Sequence, residues 1–130
     1  MMGGRGGFIK EGGFAKKRYH VVDFVDGVKV LEPKDPREGR GVPERSGTPG
    51  TSYVCYRKNG TFKRFITFDR DRMPKYAIDY GTHDGITSLH VHYYKNGDKT
   101  GGIEYLHPGD ELYEKHKRLF KGVRIWKEYT

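Results

Sequence analysis

The chain has 130 residues, a formal net charge of +8, 14% aromatic residues and 19 glycines. This length suffices for one compact domain with a modest core, and the abundance of tyrosine and glycine favours a sheet over a helix bundle. No apolar run approaches 18 residues, which excludes a membrane-spanning helix, and a single cysteine, Cys55, excludes an internal disulfide framework. A cytoplasmic location follows as the default, and the basic charge favours an anionic partner such as nucleic acid.

The N-terminal segment, residues 1–13, holds six glycines and few side chains that could be buried. We expect it to be a flexible leader, because glycine-rich backbone loses much entropy on ordering. The remainder, residues 14–130, is predicted to form a single domain.

Two β-hairpins are predicted in the first half of that domain. In residues 19–31, the pair Asp26-Gly27 tolerates the positive φ of a two-residue turn between two strands. In residues 51–68, the turn is Lys58-Asn59-Gly60. The second strand of this hairpin carries aromatic residues on both faces, which indicates a central strand. Alternation places these residues on one of its faces: Phe62, Arg64, Ile66 and Phe68.

The segment between the hairpins, residues 32–50, contains four prolines and four glycines with mixed charge. This composition is typical of an ordered irregular loop or a mobile flap. Its arginines, Arg37, Arg40 and Arg45, could close over an anionic ligand. The alternative is a solvated linker between two parts of one sheet.

Residues 76–94 hold the densest group of chemically versatile side chains. A strand at 76–80, a glycine-bearing loop and a strand at 88–94 are predicted. Alternation puts His90 and His92 on one strand face, ~7 Å apart. If the strands pair, Asp79 can face this histidine row, with His83 above it on the loop. Tyr80 and Tyr94 are the neighbouring candidates for ligand contact.

Three interpretations of the group Asp79, His83, His90 and His92 remain open. Two or three histidines and an aspartate supply ligands suited to zinc or a similar ion. Alternatively, two imidazoles could act as base and acid in metal-free RNA cleavage, with Asp79 orienting one ring and a nearby Lys or Arg stabilising the developing charge. Third, the side chains could form a hydrogen-bonded polar face. The residues identify no cofactor, and they do not settle whether a metal is bound.

The C-terminal part is predicted to begin with a short strand at residues 103–106. A helix follows from Pro108 to Phe120 and ends before Gly122. Its apolar stripe comprises Leu112, His116, Leu119 and Phe120. Residues 123–129 alternate and are expected to add an edge strand.

Short motifs give a resemblance to mobile-element proteins. The opening Met2-Gly3-Gly4-Arg5-Gly6 resembles the start of small proteins of phages and integrative elements of Gram-positive bacteria. The order Phe68-Asp69, Ile78-Asp79-Tyr80, His83 and His90-Val91-His92 is similar to C-terminal domains of phage head-morphogenesis and polymorphic-toxin polypeptides. The resemblance implies a phage or mobile-element origin more firmly than it implies a reaction.

Together these observations predict an α+β domain: an antiparallel sheet of five to six strands with one C-terminal helix packed on a face. The expected function is that of a small phage-type protein in the bacterial cytoplasm. It would act on or bind RNA or another phosphate-bearing ligand, for example as a toxin-like nuclease using the His/Asp site. The alternatives are a non-enzymatic phage accessory protein that inhibits a host factor, such as a defence component, and a virion-associated structural protein.

Overall fold

A computed structural model of the protein describes residues 18–124. The predicted leader at 1–13 lies outside these residues. Most of the edge strand predicted at 123–129 also lies outside them; Val123 and Arg124 are described and are not in a strand. The described part forms a sheet followed by a short helix. The strands are β1 Tyr19–Val25, β2 Val28–Pro33, β3 Ser52–Tyr56, β4 Phe62–Phe68, β5 Pro74–His83, β6 Ile86–Lys95 and β7 Asp98–Tyr105. The helix α1 spans Glu111–His116 and continues as one 3₁₀ turn, Lys117–Leu119.

Within residues 18–124 the sheet has seven strands in sequence order, so the predicted number of five to six is too low. The α+β class and the mainly antiparallel sheet are confirmed. One strand was underestimated: the run predicted at 103–106 extends back to Asp98, where Gly101, Gly102 and charged residues hide the alternation. Pairing with β6 sets the extent of this strand, because strand formation depends more on the neighbouring strand than on intrinsic preference.

Three two-residue turns join neighbouring strands and explain most of the antiparallel order. Asp26, Asp84 and Asn96 each adopt positive φ, at 53°, 52° and 54°, and each is followed by a glycine that does the same. Two successive residues with positive φ match the twist of a hairpin. The predicted Asp26-Gly27 turn is confirmed. The glycine-bearing loop predicted after residue 80 is shorter than expected, because β5 continues to His83 and only Asp84-Gly85 connects it to β6.

The connection between β2 and β3, residues 34–51, is an ordered irregular segment that we call the crossover segment. Strands β2 and β3 are parallel, so the chain must cross from one end of the sheet to the other. Val42 and Ser46 in this segment are buried, and the Ser46 hydroxyl lies 3.2 Å from that of Tyr53. The segment therefore packs against the sheet and is not a solvated linker.

Both faces of the sheet bury apolar side chains. The helix face packs against α1 and the 3₁₀ turn, and its buried residues include Val54, Phe65, Ile78, Leu89, Val91, Leu119 and Phe120. The crossover face packs against the crossover segment, and its buried residues include Leu31, Tyr53, Cys55, Ile66, Phe68 and Val42. The crossover face is also the face that carries His90 and His92, so the histidines lie on a surface that the crossover segment partly covers.

The C-terminal helix is shorter than the predicted span of 108–120. Pro108 and Gly109 form a turn in which the backbone N–H of His107 donates to Asp110 Oδ2 at 2.8 Å. The predicted stripe is confirmed at His116, Leu119 and Phe120, which are buried on the helix face, whereas Leu112 is half-buried. In the described part of the chain, no helix is long and apolar enough to cross a membrane.

Candidate functional site

A row of polar side chains crosses the middle of the sheet on the crossover face. Directly paired positions on β3 to β7 form the row, and they are Cys55, Arg64, Asp79, His90 and Tyr105. The adjoining row on the same face consists of Tyr53, Ile66, Ala77, His92 and Ile103. Directly opposite residues on antiparallel strands point to the same face, so pairing brings residues distant in sequence into contact. The prediction that Asp79 faces the histidine row is thereby confirmed.

Asp79 is the centre of this cluster, and only 9% of its surface is exposed. Arg64 Nε donates to Asp79 Oδ1 at 2.5 Å, and Arg64 Nη2 donates to Oδ2 at 2.9 Å. His92 Nε2 lies 3.1 Å from the same Oδ2. A two-point contact between guanidinium and carboxylate fixes the orientation of both groups. The carboxylate therefore holds Arg64 and His92 in defined positions.

The environment of His92 favours its neutral form. Burial is the largest influence and lowers the pKa of His92, the charges of Lys99 and Arg64 lower it further, and Asp79 opposes them, so that the pKa stays below its ordinary value of 6.5. A neutral imidazole carries one N–H and one lone pair. Because the carboxylate accepts a hydrogen bond, the N–H belongs on Nε2, and Nδ1 carries the lone pair. His92 is thus arranged to accept a proton at neutral pH.

His90 lies beside His92 and is more deeply buried, with 6% of its surface exposed. The two ring centroids are 5.3 Å apart and the rings meet nearly edge to face, at 79°. This spacing leaves no room for a phosphate between the two rings. A ligand must therefore approach from the side of His92, whose side chain is 19% exposed.

The cluster was also predicted as a possible metal site, and its donor set meets the first requirement. One ligand atom each from Asp79, His90 and His92 lie within 4.8 Å of one another, and imidazole with carboxylate suits zinc. The guanidinium of Arg64 opposes this use, because it binds both carboxylate oxygens and would place a positive charge next to the ion. Proton transfer fits the observed contacts better than metal binding does.

Two residues predicted for the site stand apart from this cluster. His83 is the last residue of β5, four positions beyond Asp79 and hence ~13 Å along the strand; its side chain is outside the described part. Tyr80 packs against the helix face, and its hydroxyl accepts a hydrogen bond from the Arg124 N–H at 3.2 Å. The structure thus places the Tyr80 side chain on the opposite side of the sheet from the histidines.

Tyr94 lies on the crossover face, as predicted, and fastens the crossover segment to β6. Its hydroxyl donates to Glu44 Oε2 at 2.9 Å, and Lys99 Nζ lies 3.7 Å from the same oxygen. Burial and the Glu44 carboxylate both raise the pKa of Tyr94, so its hydroxyl remains protonated. Glu44 therefore connects the crossover segment to the sheet close to His92.

The three predicted arginines lie on the crossover segment, but two of them lie away from the histidines. Arg37 is paired with Asp35, and its side chain is 89% exposed. Arg40 reaches Glu32 and the Tyr56 carbonyl, both at 3.4 Å, near the end of β3. Arg45 is exposed beside Glu44. Ligand contact by these arginines stays a prediction.

Arg64 is the one residue of the Arg64–Asp79–His92 cluster that the sequence analysis did not select. Its signal was visible: a charged residue on the same face as Ile66 and Phe68 in a central strand requires a buried partner. The predicted face of β4 is also wrong at Phe62, which packs on the helix face. The pairing of β3 with β4 shifts register between Cys55 and Tyr56, and such a bulge reverses the facing of the residues beyond it.

Two further titratable groups near the core are structural. Burial raises the pKa of the Cys55 thiol to about 11, so the thiolate is absent at neutral pH. On the helix face, burial and Lys115 lower the pKa of His116 to about 4, and His116 Nε2 lies 2.7 Å from the Tyr76 hydroxyl. Neither group contacts the Asp79 cluster as a proton carrier.

No protein-family model, curated protein or solved structure matches this chain. The resemblance to phage and toxin domains therefore stays a prediction. The fold and the site define a class only in physical terms: an α+β protein whose central strands hold an Arg–Asp–His cluster beneath a crossover connection.

Proposed function

We propose that this protein acts on RNA, and that the cluster of Arg64, Asp79 and His92 cleaves the strand by metal-independent proton transfer. One observation carries the proposal: a single carboxylate holds both a guanidinium and a neutral imidazole at a partly exposed position. A base fixed by a carboxylate and placed beside a fixed positive charge is the arrangement that acid–base cleavage of a phosphodiester needs.

In the proposed reaction, His92 Nδ1 takes the proton from the ribose 2′-hydroxyl. The 2′-oxygen then forms a bond to phosphorus while the bond from phosphorus to the 5′-oxygen breaks. The departing oxygen takes up a proton from solvent. A general base positioned in this way contributes ~10²–10⁴-fold to a rate.

Arg64 supplies the positive charge near the transferring phosphoryl group. Its Nε and Nη2 are engaged by Asp79, but its side chain is 36% exposed, so the outer edge of the guanidinium faces solvent. Negative charge that develops on the non-bridging oxygens is stabilised by a donor that is already oriented. The contacts of Asp79 with Arg64 and His92 therefore fix the positive charge and the general base relative to each other.

The experiment compares two histidine variants on a fluorescent RNA oligomer in the presence of EDTA. Wild-type protein is expected to cleave RNA but not the matching 2′-deoxy oligomer. His92→Asn should reduce the rate at least ~10²-fold. His20→Asn is the matched control, because His20 is an exposed histidine on β1, and it should cleave like wild type.

Three results would contradict the proposal. They are no cleavage in any buffer, cleavage of the 2′-deoxy oligomer at the same rate, and full activity of His92→Asn. If cleavage required added zinc or manganese, the mechanism at these residues would be metal-dependent, and metal-independent proton transfer would be refuted. A phage origin and action in the bacterial cytoplasm remain part of the proposal and rest on the sequence motifs.

A second candidate, a non-enzymatic protein that binds and inhibits a host factor, is favoured by one observation. Strand β1 is an edge of the sheet, and its apolar residues Val22 and Phe24 are 46% and 61% exposed. An open strand edge with exposed apolar side chains can pair with a strand of another protein. Growth inhibition in bacteria that survives His92→Asn and disappears with Phe24→Asp would select this candidate over RNA cleavage.

A further inference from the structure

A basic cavity lies at the end of the sheet where β3 turns into β4. It is an open cleft with a volume of about 380 Å³, bordered by the start of the crossover segment on one side and the turn on the other. The cations around it are Arg37, Arg40, Arg57, Lys58 and Lys63, and the one acidic residue in its wall is Glu38. This volume falls within the ~300–1,000 Å³ of ligand-binding clefts.

Three of these cations are not neutralised by a carboxylate. Arg37 and Arg40 are paired with Asp35 and Glu32. Arg57 Nη2 instead donates to the Tyr80 carbonyl at 2.7 Å, and Lys63 Nζ donates to the Arg40 carbonyl at 2.5 Å.

A carbonyl orients a cation without cancelling its charge. Within residues 18–124, Arg57, Lys58 and Lys63 have no ion pair with a carboxylate. Together with Glu38 in the wall, these three cations give the cavity a formal net charge of about +2.

The cavity and the Asp79 cluster are adjacent along β4, although no residue of the cluster lines the cavity. Lys63 immediately precedes Arg64 on β4, and the bulge opposite Tyr56 turns it toward the crossover face, where its amino group meets the crossover segment. Arg57 reaches across β4 to the carbonyl of Tyr80, the residue that follows Asp79. His92 lies in the row of Ile66, two strands from β4 and three residues from Lys63, so an RNA strand over His92 would reach Lys63 after about 14 Å.

We propose that this cavity binds backbone phosphates of a single RNA strand a short distance along the strand from the bond that is cleaved. The inference rests on the proposed function, and it adds that the substrate is a polymer held by phosphates outside the reacting centre. Guanidinium and ammonium groups bind phosphate by charge and hydrogen bonding without reading bases. The site therefore selects for strand length and not for sequence.

The test uses a fluorescent 2′-O-methyl RNA of about 12 nucleotides, which lacks the reacting hydroxyl and reports binding alone. Lys58→Glu reverses one of the uncompensated charges at an exposed position. Lys75→Glu is the matched control: it makes the same charge change at an exposed position near the start of β5, at the opposite end of the sheet.

Lys58→Glu should weaken binding about tenfold and reduce the slope of log K against log salt by about 0.7 or more, whereas Lys75→Glu should change neither appreciably. Equal binding by Lys58→Glu and wild type, or equal losses in both variants, would overturn the inference.

RNA cleavage is measured separately, so that the two proposals can fail independently. If wild type binds the oligomer with this Lys58 dependence but never cleaves RNA, phosphate binding by the cavity is supported and the proposed reaction is wrong. If wild type cleaves RNA but its binding does not depend on Lys58, the proposed reaction is supported and phosphate binding by the cavity is refuted. Absence of both binding and cleavage refutes both proposals.

Discussion

Replacing Asp79 by Asn tests the centre of the site. The change keeps the size of the side chain and an oxygen that can accept from His92, but it removes the charge that pairs with Arg64. Breaking a fully buried ion pair by removing one partner costs ~3–5 kcal/mol, because the remaining charge stays out of water. Arg64 is 36% exposed, so water can restore part of its hydration, and we expect a loss of about 2 kcal/mol in the free energy of unfolding.

Urea unfolding measures this loss, provided that the slope of the unfolding free energy against denaturant stays unchanged. A second readout is the pKa of His92, followed by NMR of its ring. Asp79 is an influence that raises this pKa, so Asp79→Asn should lower it further. Combining Asp79→Asn with Arg64→Gln should give a coupling energy of ~0.5–3 kcal/mol.

Asp71→Asn serves as the control, since Asp71 is an exposed carboxylate in the turn between β4 and β5. Its unfolding free energy should lie within ~0.5 kcal/mol of wild type. If Asp79→Asn were equally harmless and left the pKa of His92 unchanged, the carboxylate would not be holding Arg64 and His92, and the proposed reaction would lose its basis.

Three further predictions concern the framework that positions the site. The pKa of His116 is about 4 in the folded protein and about 6.5 in the unfolded chain, so the unfolded chain binds more protons between these pH values. As the pH falls from 7 to 4, the free energy of unfolding of wild type should therefore decrease by about 3 kcal/mol more than that of His116→Gln. Equal pH slopes of the two proteins in urea unfolding would refute this. Leu119→Ala should cost ~2–5 kcal/mol, because Leu119 is fully buried, and the half-buried Leu112→Ala should cost less by the same assay. Gly122→Ala should lower the melting temperature more than Gly60→Ala. Both glycines have positive φ, but of the two only Gly122 is in a position where an added Cβ would lie 2.9 Å from Thr61 Oγ1. Equal decreases in melting temperature would contradict this.

The parts of the fold that local sequence encodes were predictable. The residue pair Asp26-Gly27 specifies a tight turn by itself, and the alternation of residues 88–94 specifies which side chains share a face. The approach of Asp79 to the histidines followed from this alternation together with the assumption that the two strands pair.

The remaining features depend on contacts between distant segments. The parallel pairing of β2 with β3 has no local signal, because residues 32–50 contain the same turn-forming residues whether they leave the sheet or cover it. The contact of Arg64 with Asp79 requires the register of β4 against β5, and the bulge at Tyr56 shifts a neighbouring register. A shift of one residue would have turned Arg64 to the other face.

The two histidines of the row should respond differently to the same substitution. His90 has 6% of its surface exposed and is packed edge-on against His92, so His90→Asn removes buried ring contacts and should lower the free energy of unfolding by ~1–3 kcal/mol. His92 is more exposed and loses mainly one hydrogen bond to Asp79, so His92→Asn should cost ~0.5–1.5 kcal/mol.

The order for RNA cleavage should be the reverse of the order for stability. His92 carries the proton-accepting Nδ1, whereas His90 takes no part in the proposed reaction, so a folded His90→Asn protein should retain more activity than His92→Asn. Measuring both rates well below each variant's unfolding midpoint separates chemistry from loss of folded protein. If His92→Asn proved the less stable variant and the more active one, His92 would be a structural residue, and the exposed cations of the basic cavity would become the place to look for function.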